Sequence, residues 1–165
     1  MTDSSQLNPD TLREAMRAWS SGVTIVTATH KGETHGMTVS SFTSVAVEPP
    51  MIIVSLQTDS RTHNLVWKAR AFAVTILSAG QQELSERFAG RIPDEKDRME
   101  GVEFDTLVTG APLVKGGMSW FDCRVTQTIP VGSNTLFLGQ VVAAKSLKHG
   151  EPLVYYDRNY RRLGK

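Results

Sequence analysis

Cysteine is almost missing from this chain of 165 residues: Cys123 stands alone. A single thiol excludes an internal disulfide and any multi-cysteine metal site. The four histidines, His30, His35, His63 and His149, show neither HxH nor HExxH spacing, so each reads as a surface or hydrogen-bonded residue and no metal is expected. The nucleophile-elbow, dinucleotide-fingerprint and P-loop patterns are absent too. Excess charge of either sign is lacking: 18 Lys and Arg against 17 Asp and Glu leave a formal +1. No broad field therefore exists to hold nucleic acid or an anionic membrane, and any bound anion must be held locally. No apolar run approaches the roughly 18–20 residues of a membrane span. The polar start "MTDSSQLNPD" has no basic region followed by an apolar stretch, which makes the cytoplasm the expected compartment. Repeats, low-complexity tracts and linkers are not visible, and the length suits one core, so residues 1–165 read as a single domain.

What is present is strand-rich. Asn8 and Pro9 predict an N-cap and first helical position, and Leu12, Met16 and Trp19 recur at helical spacing, giving a helix to about Trp19. Val23 to Thr29 and His35 to Phe42 read as a hairpin turning at Lys31-Gly32. Strands "FTSVAV" and "MIIVSL" flank Glu48-Pro49-Pro50, since proline cannot donate to a ladder. A helix is predicted over Asp59 to Ala69 with Leu65, Val66 and Ala69 inward, then the strand "AFAVTIL", a short helix Gln81 to Phe88 and a charged loop "AGRIPDEKDRMEG". The last third reads as "SWFDCRVTQTI", a break at "PVGSN", and "TLFLGQVVAAKS". Cys123 alternates with Phe121 and Val125 on one strand face, the pattern of a buried structural thiol. The class is mainly β with inserted helices, a barrel or closed sheet decorated by helices.

Without a protein nucleophile or metal pattern, an enzyme of this sequence must take its reactive group from a cofactor. Two stretches suit one. "TDSRTHNLVWKA" puts Ser60 at a helix start with Arg61 and Thr62 in the first turn, where amides, hydroxyls and a guanidinium form a phosphate cradle, against the local charge of Asp59. The competing reading is a capping Ser60 and a solvated Arg61. "HGMTVSSFTSVAVEPPMIIVSL" holds five small hydroxyl residues, Thr38, Ser40, Ser41, Thr43 and Ser44, which leave room for a flat heterocycle against the main chain. The competing reading is an ordinary exposed strand face.

Taken in order, "GVTIVTA", "GMTVSSFTSVAVEPPMIIVSL", "SRTHNLV", "FAVTILSAGQQELSERFAG", "DRMEGVEF", "APLVKGGMSWFDCRV", "TLFLGQV" and "PLVYYDRNYRRL" resemble the short-chain flavin reductase family, the reductase components of two-component flavin monooxygenases. The resemblance covers about Leu12 to Leu163. It implies an FMN-binding split β-barrel, a homodimer, and hydride transfer from NADH or NADPH to FMN or FAD, with reduced flavin passed to a partner monooxygenase. By the same resemblance Thr38, Val39, Ser40 and Ser41 edge the isoalloxazine with Ser55 and Leu56 beside it. Ser60, Arg61 and Thr62 take the phosphate, and Phe88, Ala89 and Gly90 border the ribityl or phosphate side. Many members carry Gly-Asp-His before the strand "TLF", where it is associated with the pyridine nucleotide; here Gly132, Ser133 and Asn134 stand there. Ser133, Asn134 and Tyr160 are the nucleotide-side candidates, while Tyr155 and Tyr156 read as packing residues. No catalytic side chain is implied, since hydride passes between cofactors. The alternative within the fold is a flavoprotein that holds FMN tightly and acts on another redox substrate. A non-catalytic β-barrel that binds oligonucleotides is opposed by the neutral charge and the lack of a basic, aromatic-lined groove.

Overall fold

The computed structural model describes residues 7–92 and 97–164; the middle of the expected charged loop, 93–96, lies outside them. Among the described residues there are three helices, and everything else regular is strand. Helix α1 (Pro9–Met16) is capped by Asn8, whose side chain accepts from the Asp10 amide at 2.9 Å. It stops three residues short of the expected Trp19. Arg17, Ala18 and Trp19 each donate to the carbonyl three residues back, tightening the last turn, and Trp19 is 69% exposed with no core to hold it helical.

Strands β1 (Ser21–Gly22) and β2 (Thr24–His30) lead into the expected hairpin with β3 (Glu33–Val39). Lys31 and Gly32 both take positive φ, 50° and 82°, the two-residue turn that matches strand twist. β3 ends at Val39 rather than Phe42, and β4 (Thr43–Ala46) pairs instead with β5 (Met51–Gln57) across the two prolines. Helix α2 (Arg61–Ala69), β6 (Ala71–Ile76) and helix α3 (Gln82–Phe88) follow in the expected order, each one or two residues shorter than read, then short strands β7 (Phe104–Asp105) and β8 (Leu113–Val114). β9 (Ser119–Val131) and β10 (Asn134–Ser146) form one long hairpin in which Pro130 and Val131 are strand, so the expected break shrinks to Gly132-Ser133. β9 pairs with β6 only as far as Arg124, leaving Pro130 in an edge stretch where proline is tolerated. β11 (Val154–Tyr156) and β12 (Asn159–Arg161) close the chain.

The main sheet is antiparallel in the order β3-β2-β6-β9-β10-β5-β4, with β1-β11-β12 and β7-β8 as small separate ladders. The ladder is open, with β3 and β4 as its edges, yet one apolar cluster joins Val39 of β3 to Val54 and Leu56 of β5 through Val26, Phe72 and Phe137. The two ends of the sheet therefore curl around a shared core, which α2 caps with Leu65 and Val66. A second cluster gathers Val23, Ile25, Leu77, Phe88 and Leu153 under α3. Cys123 is fully buried; desolvation, with Asp122 beside it, pushes its thiol up to about 12, as expected of a structural residue.

Among the described residues Asp122 is the one acidic side chain in the buried set. Its side chain has no exposure and accepts from the amides of Val108 and Thr109, at 2.7 and 2.8 Å, and from the Thr109 hydroxyl. This carboxylate binds the segment before β8 to the sheet. Asp122→Ala strands the two amides and should lower stability by about 2–4 kcal/mol, read as a reduced urea midpoint with unchanged slope.

Candidate functional site

A groove opens between β3, the start of α2, the end of α3 and the β11–β12 hairpin. One part, about 410 Å³, is walled by His35, Met37 and Thr38 of β3, Ser60, Arg61 and Thr62 of α2, Phe88 and Ala89 of α3, and the Arg91 and Arg98 side chains. The adjoining part, about 150 Å³, shares Thr38, Ala89 and Arg91 and adds Val39, Ser40, Ser85, Tyr155 and Tyr160. Local physics explains each wall. Ser60 is the N-cap of α2: its hydroxyl oxygen accepts from the His63 amide at 3.2 Å and donates to the Gln57 carbonyl at 2.9 Å. Arg61 and Thr62 thus occupy the first turn, whose amides have no intrahelical acceptor. Thr62 is fully buried and its hydroxyl hydrogen-bonds His35 Nδ1 at 2.8 Å. The Thr38 hydroxyl donates to the Ser85 carbonyl at 2.7 Å, and Ser85 Oγ shares a 2.8 Å bond with the Tyr160 hydroxyl, tying β3, α3 and β12 together.

Charge is concentrated at the larger end. Arg61 Nε donates to Glu33 at 2.8 Å, which lowers the Glu33 carboxyl below its usual range. Arg91 bonds Glu86 at 3.1 Å and lies over the Tyr155 ring. Arg98 donates to the Phe88 carbonyl at 2.9 Å. Burial, then the positive fields of Arg98 and Arg61, press His35 down to about 4, with Asp97 and Glu33 pulling weakly the other way.

Of the residues singled out from sequence, Thr38, Val39, Ser40, Ser60, Arg61, Thr62, Phe88, Ala89 and Tyr160 line this groove. Gly90 follows directly in the chain, with φ +71°. Five others form a neighbouring ledge. Leu56 is fully buried in the main core, and Ser41 exchanges hydrogen bonds with the Ser55 main chain. Asn134 donates to Ser55 Oγ at 2.9 Å, while the Ser133 carbonyl accepts from the Thr58 amide and hydroxyl, which brings the β9–β10 turn beside the groove without lining it. Tyr155 packs edge-on against Tyr160 over the second core as expected, whereas Tyr156, the last residue of β11, is 42% exposed. Sequence reading passed over His35, Ser85, Arg91 and Arg98. Ser85 had a signal, one helical turn before Ala89; the two arginines sat in a segment that reads only as a charged loop. Among the described residues no three His, Cys, Asp or Glu side chains are grouped to hold a metal, and no helix is long and apolar enough to cross a membrane.

Residues 16–164 match the family described as flavin reductase like domain, and the chain belongs to that family. It is similar to the NADH-dependent flavin reductase StyB of Pseudomonas fluorescens, 33% identical over 151 residues that span 90% of this chain and 86% of the relative. It is 34% identical to the reductase component of 4-hydroxyphenylacetate 3-monooxygenase of Thermus thermophilus over 93% of this chain and 96% of that one. Among solved structures, the Streptomyces globisporus NADH:FAD oxidoreductase in complex with NAD and FAD fragments superposes with a TM-score of 0.87 at 29% identity, covering 98% of each chain. The donor set of the larger cavity fits a phosphate-bearing ring compound. Capped helix amides, two hydroxyls and guanidinium groups meet at one end, and a narrower arm with two tyrosines continues from it.

The depressed His35 sets a pH dependence. In the native chain His35 stays neutral down to about 4, while in the unfolded chain it takes a proton near its ordinary 6.5. The unfolded state therefore binds more protons inside that window, and stability falls as pH drops through it. Buried His63 shifts in the same direction. The unfolding midpoint of the ligand-free protein should decline from neutral pH toward pH ~5, and His35→Gln should flatten part of that decline.

Proposed function

We propose that this chain is an NAD(P)H-dependent flavin reductase that takes FMN or FAD as its flavin, works as a homodimer of split β-barrels in the cytoplasm, and supplies reduced flavin to a partner flavin-dependent monooxygenase. The observation that carries the reading is the pairing, in one groove, of a capped helix start bearing Ser60, Arg61 and Thr62 with a side arm bounded by Thr38, Ser40 and Tyr160. Family membership and relatives described as reductases and reductase components support it. Exposed Val45 and Val47 on the β4 side and Val131 at the tip of β9 support self-association, since they leave apolar surface for a second copy to cover.

When bound, the flavin would supply the ring that accepts hydride from the reduced nicotinamide. The chain's part is to bind, orient and exclude water. The Arg61 guanidinium and the first-turn amides of α2 hold the phosphate, while Ser60 and Thr62 place that turn through their own hydrogen bonds to Gln57, His63 and His35. The main chain of Thr38 to Ser41, braced by Ser55 and Leu56, meets the ring edge, and Phe88, Ala89 and Gly90 border the ribityl side. Ser133, Asn134 and Tyr160 serve the nucleotide side, with Tyr160 held in place by Ser85. A neutral His35 adds no charge of its own beside Thr62, so the pull on an anion is left to the arginines and the helix amides.

Anaerobic stopped-flow mixing of the flavin-loaded protein with NADH, and separately with NADPH, tests the reading. Bleaching of the flavin that the protein accelerates over free solution is the expected result. A permanently yellow protein whose flavin neither nucleotide reduces would instead support a bound prosthetic group acting on another redox substrate.

A further inference from the structure

Three guanidinium groups border the larger cavity, and two are already committed. Arg61 is paired with Glu33 at 2.8 Å. Arg91 is paired with Glu86 at 3.1 Å and reaches the Tyr155 hydroxyl at 3.4 Å. Arg98 has no carboxylate partner among the described residues. Among those residues its one hydrogen bond runs from Nη1 to the neutral Phe88 carbonyl at 2.9 Å, which leaves most of its five donors unspent there. The backbone is shaped to receive it: a Cβ on Gly90 would stand 2.5 Å from Arg98 Nη2, so the guanidinium lies directly over that glycine. Arg98 lines the same cavity as His35, the residue bonded to Thr62, and its charge helps hold that imidazole neutral. Asp97 also faces His35, but its Oδ1 already accepts from the Met99 amide at 2.9 Å.

We propose that Arg98, lying over Gly90 and without an acidic partner among the described residues, is the main phosphate-anchoring cation of this cleft, ahead of the helix-borne Arg61. The assignment rests on the flavin reading above and names the residue that makes the site prefer a phosphorylated flavin. An arginine held by a single neutral acceptor keeps its planar fork for two parallel bonds to an anion, and it need break no ion pair to make them. Arg61 must share its charge with Glu33 whether or not an anion is bound. The Phe88 carbonyl fixes the fork in advance, so little side-chain entropy remains to be lost on binding.

Titration of the full chain with FMN and with riboflavin, followed by flavin fluorescence, decides the matter. Arg98→Ala should weaken FMN by about 10–100-fold and leave riboflavin within about twofold, since riboflavin lacks the phosphate. Arg61→Ala should weaken FMN by less than about fivefold, as expected of an exposed, paired cation. Arg98→Gln can keep an N–H to the Phe88 carbonyl while removing the charge, so it repeats the FMN loss if Arg98→Ala folds poorly. If Arg98→Ala and Arg98→Gln bind FMN as the unmodified chain does, the assignment is wrong while the flavin reading stands. An equal loss of FMN and riboflavin makes Arg98 a structural residue and also overturns it. If the unmodified chain binds neither compound, the flavin reading fails and the assignment goes with it.

Discussion

Phe88 is packed so closely on β3 that the position opposite must have no side chain. A Cβ at Gly36 would stand 2.8 Å from the Phe88 ring and 2.9 Å from the Thr27 methyl. Burying that ring contributes roughly 1.5–3 kcal/mol and, more to the point, fixes where α3 ends. Because Phe88 is the last residue of the helix, everything after it is placed by the same contact. Ala89 becomes the shared wall of both cavities, and Gly90 leaves the helix in the left-handed region. The Phe88 carbonyl turns to Arg98, and one turn earlier Ser85 reaches both Thr38 and Tyr160. The groove is thus a consequence of one aromatic ring seated on one glycine.

The electrostatics follow from that seating. Drawing α3 onto β3 brings Arg91 and Arg98 toward the start of α2, so cations from two segments meet above a buried threonine and a half-buried histidine. With a formal charge of only +1 over the whole chain, attraction for an anion has to come from such a local gathering. Glu33 and Glu86 neutralise part of it when the site is empty, which limits the repulsion that three nearby guanidiniums would otherwise impose on the fold. His35 contributes by staying neutral, a state that burial and the arginine fields enforce together.

Local grammar was readable from the chain. Asn8 and Ser60 are caps because a short side-chain acceptor precedes a helical pattern, and Lys31-Gly32 turns because its conformation needs positive φ. The misreadings occurred where tertiary neighbours decide. Trp19 repeats at helical spacing but is 69% exposed and belongs to none of the core clusters; Pro130 looks like a break until the partial pairing of β9 makes its stretch an edge. The same divide separates the site residues. The placement of Ser60, Arg61 and Thr62 was legible because it follows from positions within one helix turn. Arg98 depends on a carbonyl ten residues away, and Asp122 on amides thirteen and fourteen residues back, so no local pattern announces either.

The small hydroxyls between Thr38 and Ser44 show why composition alone was a weak guide to a ring-binding surface. Thr38 is bound to Ser85 and Ser41 to Ser55, while Thr43 and Ser44 lie on the exposed edge strand β4, away from the groove. Two of the five are therefore stitches that hold main chain to main chain, and one of those stitches, at Thr38, forms part of both cavity walls. A hydroxyl already donating to a carbonyl has spent its proton, which leaves its lone pairs and the neighbouring backbone N–H and C=O groups as what it can offer a ligand. A ring edge bound in this groove would be met mainly by backbone, with the side chains keeping that backbone still.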